Sequence, residues 1–128
     1  MRITNEINKL TEVCKKHFDE LRSGDEEKIL VFSFEVESYE IWGGNGDRFT
    51  DELYYITSDG WEKHITTKET GLYQKGDGVI SNDVSKLNNS AIETLLNSDK
   101  IPLNAVKKFF EFYDEIRAKY SKEFGFFC

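Results

Sequence analysis

The sequence predicts an α+β fold: an N-terminal helix, an antiparallel sheet of four to five strands, and two C-terminal helices packed on one face of that sheet. Three observations predict it. Apolar residues recur at helical spacing near both ends and at alternating spacing through the middle, and an Asp-Gly pair divides two alternating runs as a tight hairpin requires. The order of helix, strands and helices describes a two-layer sandwich rather than an alternating α/β sheet. A chain of 128 residues has the length of one domain, 1–128, and can bury a core without metal or disulfide support.

The first helix is read over residues 3 to 22, where Ile3, Ile7, Leu10, Val13, Cys14, Phe18 and Leu21 share one face and Gly24 stands as the stop. From Ile29 to Trp42 the chain is β-rich. Leu30, Phe32, Phe34 and Val36 are assigned to one face of that strand, and Ser33, Glu35 and Glu37 to the other. Tyr39 and Ile41 are apolar at odd positions, so the strand changes face, and a bulge or bend is expected near Glu37 to Ser38 in one long bent strand. Gly43 to Asp47 reads as a flexible loop.

Asp59-Gly60 is taken as a two-residue turn joining Glu52–Ser58 to Trp61–Thr67. That register sets Ser58 opposite Trp61, Ile56 opposite Lys63 and Tyr54 opposite Ile65. Tyr54, Ile56, Trp61 and Ile65 then lie on one side, with Leu53, Tyr55 and His64 on the other. A second hairpin is read from Leu72–Gln74 and Val79–Ser81 through Gly76-Asp77-Gly78. Ser90 with Glu93 forms a capping-box pattern for a short helix from Ala91 to Ser98, and Pro102 suits the first turn of the last helix. The stripe of that helix is Leu103, Val106, Phe109, Phe110, Tyr113, Ile116 and Tyr120, with Phe112 at its edge.

Charge is distributed unevenly. Residues 25 to 83 hold 14 Asp and Glu against 5 Lys and Arg, whereas each flanking segment comes to +1, for an overall charge of −7. The predicted sheet therefore carries a concentrated negative field, which repels nucleic acid and attracts a basic protein surface. No apolar run reaches the roughly 18 residues of a membrane span. Cys14 on a helix stripe and Cys128 at the end read as free thiols of a cytoplasmic protein. Phe124, Gly125, Phe126, Phe127 and Cys128 form an apolar tail, expected to fold back onto the core or cover a sheet edge.

Chemistry has few parts to draw on. His17 and His64 are the two histidines. His17 stands three residues from Cys14, but on a core stripe that would desolvate a thiolate, so the pair is read as structural. His64 beside Tyr55 is read as a sheet-surface histidine. Gly43-Gly44-Asn45-Gly46 lacks the Lys-Ser or Lys-Thr ending of a P-loop, and the acids Asp47, Asp51 and Glu52 lack the spacing of a calcium loop. Neither a metal nor another cofactor is expected, and the protein is read as non-catalytic.

Tyrosine and tryptophan mixed with acids suit a protein-binding surface. The expected contacts are Glu35, Glu37, Asp47, Asp51, Glu52 and Glu62 as charges, with Tyr39, Trp42, Tyr55 and His64 among them. The chain carries no family motif. In character it resembles the small, acidic, single-domain bacterial immunity proteins and antitoxins that neutralise basic nuclease toxins. That resemblance implies inhibition without chemistry, through an acidic surface that covers a basic toxin or other effector. The expected partner is thus a basic protein, with no nucleic acid and no membrane, and the chain itself a monomer or homodimer. The alternatives are a dimeric acidic secretion chaperone and a phage-encoded protein inhibitor.

Overall fold

The computed structural model describes residues 2–41, 46–71 and 78–125. In chain order the elements are α1 (Thr4–Lys16), α2 (Phe18–Leu21), β1 (Ile29–Ile41), β2 (Gly46–Thr57), β3 (Gly60–Gly71), β4 (Gly78–Leu87), α3 (Asn89–Leu96), α4 (Leu103–Lys119) and a terminal 3-10 helix (Ser121–Phe124). The four strands form one antiparallel meander in the order β1-β2-β3-β4. The α+β class is as predicted, with four strands among the described residues.

The predicted first helix breaks at His17, whose backbone (φ −107°, ψ 28°) leaves the helical region. Neither glycine nor proline causes the break. The His17 ring stacks on Tyr120 at 4.0 Å and its Nε2 contacts the Glu123 carboxylate, so partners distant in sequence set the direction in which the chain continues. Gly24 is not the stop that the sequence suggests: α2 ends at Leu21 and the chain is already extended at Arg22 (φ −70°, ψ 152°), while Gly24 adopts φ +56° in the turn that Glu26 N closes onto Ser23 O at 3.0 Å.

β1 is one long strand, as expected, but it carries two irregularities. One lies between Glu35 and Glu37, one to two residues before the predicted position. The other lies between Leu30 and Phe32 and has no sequence signal. The inserted residue at Val31 reverses the side of everything before it. Leu30 therefore pairs with Tyr55, half-exposed on the face opposite Phe32, rather than sharing a face with it.

The β2–β3 turn is centred on Ser58-Asp59, not on Asp59-Gly60, since Thr57 pairs with Gly60. Thr57 Oγ1 accepts from Asp59 N at 3.1 Å and donates to Gly60 O at 3.0 Å, a side-chain turn that moves the hairpin by one residue. Gly60, at φ +125°, supplies the conformation that a residue with Cβ rarely adopts. Ile56 consequently pairs with Trp61, Tyr54 with Lys63 and Glu52 with Ile65. The shift moves each partner by two positions and so preserves the predicted faces. Gly46 and Asp47, read as loop, belong to β2. Val79–Ser81 is strand, but β4 continues to Leu87 and pairs Ser81 with Thr67; Leu72 to Gln74 lies outside the described residues.

The core lies between the sheet and the helices. Ile7, Leu10, Val13 and Cys14 of α1 meet Phe32, Tyr54, Ile56 and Trp61 of the sheet, and Ile92, Leu96, Ala105, Phe109 and Ile116 close it. Phe32 stacks on Tyr54 at 4.7 Å and takes the edge of Phe109 at 6.1 Å. Such aromatic pairs add about 0.5–1.5 kcal/mol each beyond their buried area. Leu103, assigned to the stripe of the last helix, is instead 83% exposed. It lies two residues, about 200° of helix rotation, from Ala105, whose face is the buried one. Pro102 takes the N-cap position just before α4.

The cap of α3 is Asn88, whose Oδ1 accepts from Ala91 N at 2.8 Å. The predicted capping box of Ser90 and Glu93 does not form. Glu93 reaches across to α1, where its carboxylate accepts from Ile3 N at 2.8 Å and from Thr4 Oγ1. These bonds to the charged form hold the Glu93 carboxyl below its usual range. At the other end of the chain, Phe124 packs edge-on against Tyr113 at 5.7 Å, and residues 126–128 of the apolar tail lie outside the described residues.

Candidate functional site

The pairing register divides the sheet into two faces. Phe32, Tyr54, Ile56 and Trp61 point inward to the helices. The alternate positions form the outer face, and none of those described belongs to the buried core. Read across the strands, one row there is Leu30, Tyr55, Glu62 and Lys86; the next is Ser33, Leu53, His64 and Val84; the third is Glu35, Asp51, Thr66 and Asn82. Leu30, Tyr55 and Leu53 thus form an apolar band over β1 and β2, which His64 on β3 links to Val84 on β4, with Leu30 48% and Val84 52% exposed.

Glu35 stands directly opposite Asp51 in the third row. Side chains so placed are about 4.5–5.5 Å apart at Cβ, and like charges there are destabilising. Among the described residues neither carboxylate has a hydrogen-bond or ion-pair partner. In the first two rows the polar groups hold one another. His64 Nε2 donates to Glu62 Oε1 at 3.1 Å, the His64 ring meets Tyr55 at 4.6 Å, and Lys28 Nζ sits 5.3 Å from the centre of the Tyr55 ring. The contacts with Glu62 and Tyr55 fix the orientation of the His64 ring within the surface.

Five of the residues expected to contact a partner therefore share this face: Glu35, Asp51, Tyr55, Glu62 and His64. Glu52 does not. It occupies an inward position, accepts from the Tyr54 hydroxyl and lies 4.0 Å from Lys63 Nζ, because period-two alternation sends it to the side opposite Asp51. Glu37 pairs with Thr50 while Glu35 pairs with Asp51, so the bulge between them removes the two glutamate positions from a common face. The side chains of Glu37, Tyr39 and Asp47, and all of Trp42, lie outside the described residues.

Leu30, Leu53 and Val84 complete the band and escaped the sequence reading. Leu53 was assigned to this side but as a strand residue of no special role. Leu30 was hidden by the bulge at Val31, and Val84 by a fourth strand longer than its sequence suggested. Near the β2–β3 turn, a cleft of about 500 Å³ brings Asp19, Arg22, Glu27 and Lys28 beside Asp59, Glu62 and His64; there Arg22 pairs with Asp19, and Lys28 with Glu26, of their own segment.

The Cys14 and His17 pair is structural in both partners. Burial pushes the Cys14 thiol up to about 12, which keeps it protonated at neutral pH. His17 faces away from it, toward the Glu123 carboxylate, and its Nδ1 is 3.6 Å from Glu20. Among the described residues no three His, Cys, Asp or Glu side chains converge as a metal site would require, and no helix is long and apolar enough to cross a membrane. No protein-family model, curated protein or solved structure matches the chain.

Proposed function

We propose that this protein is a non-catalytic binding inhibitor of a basic protein, acting as an immunity protein or antitoxin acts on its toxin, and that the outer face of the sheet is its contact surface. The observation that carries this reading is the band of Leu30, Tyr55, Leu53 and Val84, half-exposed at Leu30 and Val84, bordered by the opposed carboxylates of Glu35 and Asp51. Apolar anchors beside fixed charge are the composition of a recognition surface, in which packing sets the lifetime of the complex and charge sets the rate of encounter. A lysine or arginine arriving from a partner would relieve the repulsion between the two acids. The net charge of −7 supports the same partner chemistry.

The test is affinity capture from lysate of the source organism at low and high salt, followed by association kinetics with the captured protein. A single basic partner, held more strongly at low salt, is the expected result. The double variant Glu35→Lys with Asp51→Lys should slow its association by about tenfold or more and weaken the salt dependence. An unchanged association rate would remove this face from the reading. A symmetric dimer buried across the band, detected by light scattering without any partner, would favour the chaperone reading in its place.

A further inference from the structure

Among the described residues no strand pairs with the outer edge of β1. β1 and β4 are the two ends of the sheet, and they differ in how they are defended. β4 carries Asp83 and Lys86, which are side chains that discourage pairing with another strand. β1 is uncharged from Ile29 to Phe34. Beside it runs α4, where Glu111 and Phe112 stand three and four residues after Lys108, and Glu115 four and three residues after them, so that the four form a single flank.

Between that flank and the β1 edge are two spaces of about 600 Å³ and about 290 Å³, and Leu30, Phe112 and Glu115 line both. They therefore form one continuous groove. Helix α4 overhangs a place where the sheet has no strand among the described residues. Leu30 and the half-buried Phe112 give the groove an apolar floor. Glu111 and Glu115 stand one turn apart on its rim, and among the described residues neither has an ion-pair partner. Like charges at this spacing repel. Lys28, on the far side, is already engaged by Glu26 at 3.6 Å.

We propose that this groove takes an extended, lysine- or arginine-bearing segment of the basic partner as a fifth strand, paired to the β1 edge. The irregularities between Leu30 and Phe32 and between Glu35 and Glu37 bound a regular stretch at Phe32–Glu35 beside the groove. The segment therefore docks as a short strand that covers Leu30 and Phe112 with an apolar side chain and sets a basic one between Glu111 and Glu115. Main-chain hydrogen bonds supply the attraction and the two carboxylates supply the selection, which is how strand addition achieves specificity. This inference rests on the reading of a basic partner, but it concerns a surface separate from the Glu35 and Asp51 row.

The experiment uses three synthetic blocked peptides, one of alternating lysine and valine, one of alternating glutamate and valine, and the lysine peptide N-methylated at alternate residues, each titrated into the isotope-labelled protein and followed by NMR. The lysine peptide should shift the amides of Phe32–Glu35 together with those around Glu111 and Glu115, and the glutamate peptide should not. N-methylation should abolish binding, because it removes backbone donors while keeping the charge. The double variant Glu111→Gln with Glu115→Gln, at two exposed positions, should bind the lysine peptide about fivefold more weakly.

Equal binding of the N-methylated peptide would overturn strand addition. Shifts at Thr66 and Val84 without any at the β1 edge would overturn the groove. The same edge shifts on raising protein concentration without peptide would assign the groove to a second copy of the chain, against the proposal. A captured basic partner that binds the Gln variant with undiminished affinity would defeat the groove and leave the partner reading standing.

Discussion

The hydroxyl of Thr11 stands where three elements meet. It accepts from Trp61 Nε1 at 2.9 Å and lies 2.7 Å from Ile7 O and 3.1 Å from Asn89 Oδ1. Trp61 is 1% exposed, so its indole N–H has no access to water and depends on this one oxygen. Thr11→Val keeps the shape and removes the acceptor, and should destabilise the protein by about 2 kcal/mol in urea denaturation. Adding Trp61→Phe to that variant should cost less than Trp61→Phe alone, since the donor is already unpaired; equal costs would show that the indole has found another acceptor. The interaction was invisible in the sequence. Thr11 lies beside the predicted stripe as an ordinary helix residue, and its partner is fifty positions away. Cys14 and His17 teach the converse. Their residue types and spacing were plain, and the helix face on which Cys14 lies was enough to predict a buried, unreactive thiol.

Single residues also decide how the elements join. α1 begins where Glu93 of α3 accepts from Ile3 N and Thr4 Oγ1, and the break after α1 is held where Lys16 and His17 meet the Glu123 carboxylate. Both glutamates are held below the ordinary carboxylate value of 4.5, Glu93 by its hydrogen bonds to Thr4 and Ile3, and Glu123 by those from Lys16 and His17. A carboxyl whose folded value is depressed contributes stability above its unfolded value and loses that contribution as pH falls through the folded one. Glu93→Gln should therefore lower the urea midpoint at neutral pH, and the gap from the wild type should close as the pH drops below about 4.5. A gap of constant size down to pH 3 would mean that the charge on Glu93 contributes nothing. The capping-box pattern identified the right glutamate but the wrong helix. A carboxylate three residues from a serine satisfies its own helix only when no better donor is within reach, and here the exposed end of α1 is. The β bulges show the same division. A change of apolar parity from Phe34 to Tyr39 betrayed the bulge near Val36, whereas the one at Val31 lies in an unbroken apolar run that carries no parity to read.

For the molecule as a whole, the sheet presents one face to the helices and the other to its surroundings, and that outer face includes a local cost. Glu35 and Asp51 oppose each other across β1 and β2. Glu35→Gln should accordingly raise stability by a few tenths of a kcal/mol in thermal or urea denaturation, with a gap that narrows at high salt. Destabilisation would instead show that the pair is satisfied within the fold. A protein that keeps such a pair for binding should become more stable and a poorer binder together. The acids of the middle segment lie mostly on the strands but not on one face of the sheet. Some face outward, Glu52 takes an inward position, and Asp59 and Glu62 line a cleft with Asp19, Arg22, Glu27 and Lys28. Net charge is a sum and does not specify direction.

By itself the sequence determined the α+β class, the order of elements and most of the core. Those follow from the period of the apolar pattern, which each segment carries within itself. The tertiary structure alone decided which acids share a face, where Leu30 emerges, which helix Glu93 caps and what lines the groove beside β1. Each of these depends on register or on contact between distant segments, and a one-residue slip in register sends a side chain to the opposite face without changing the composition at all.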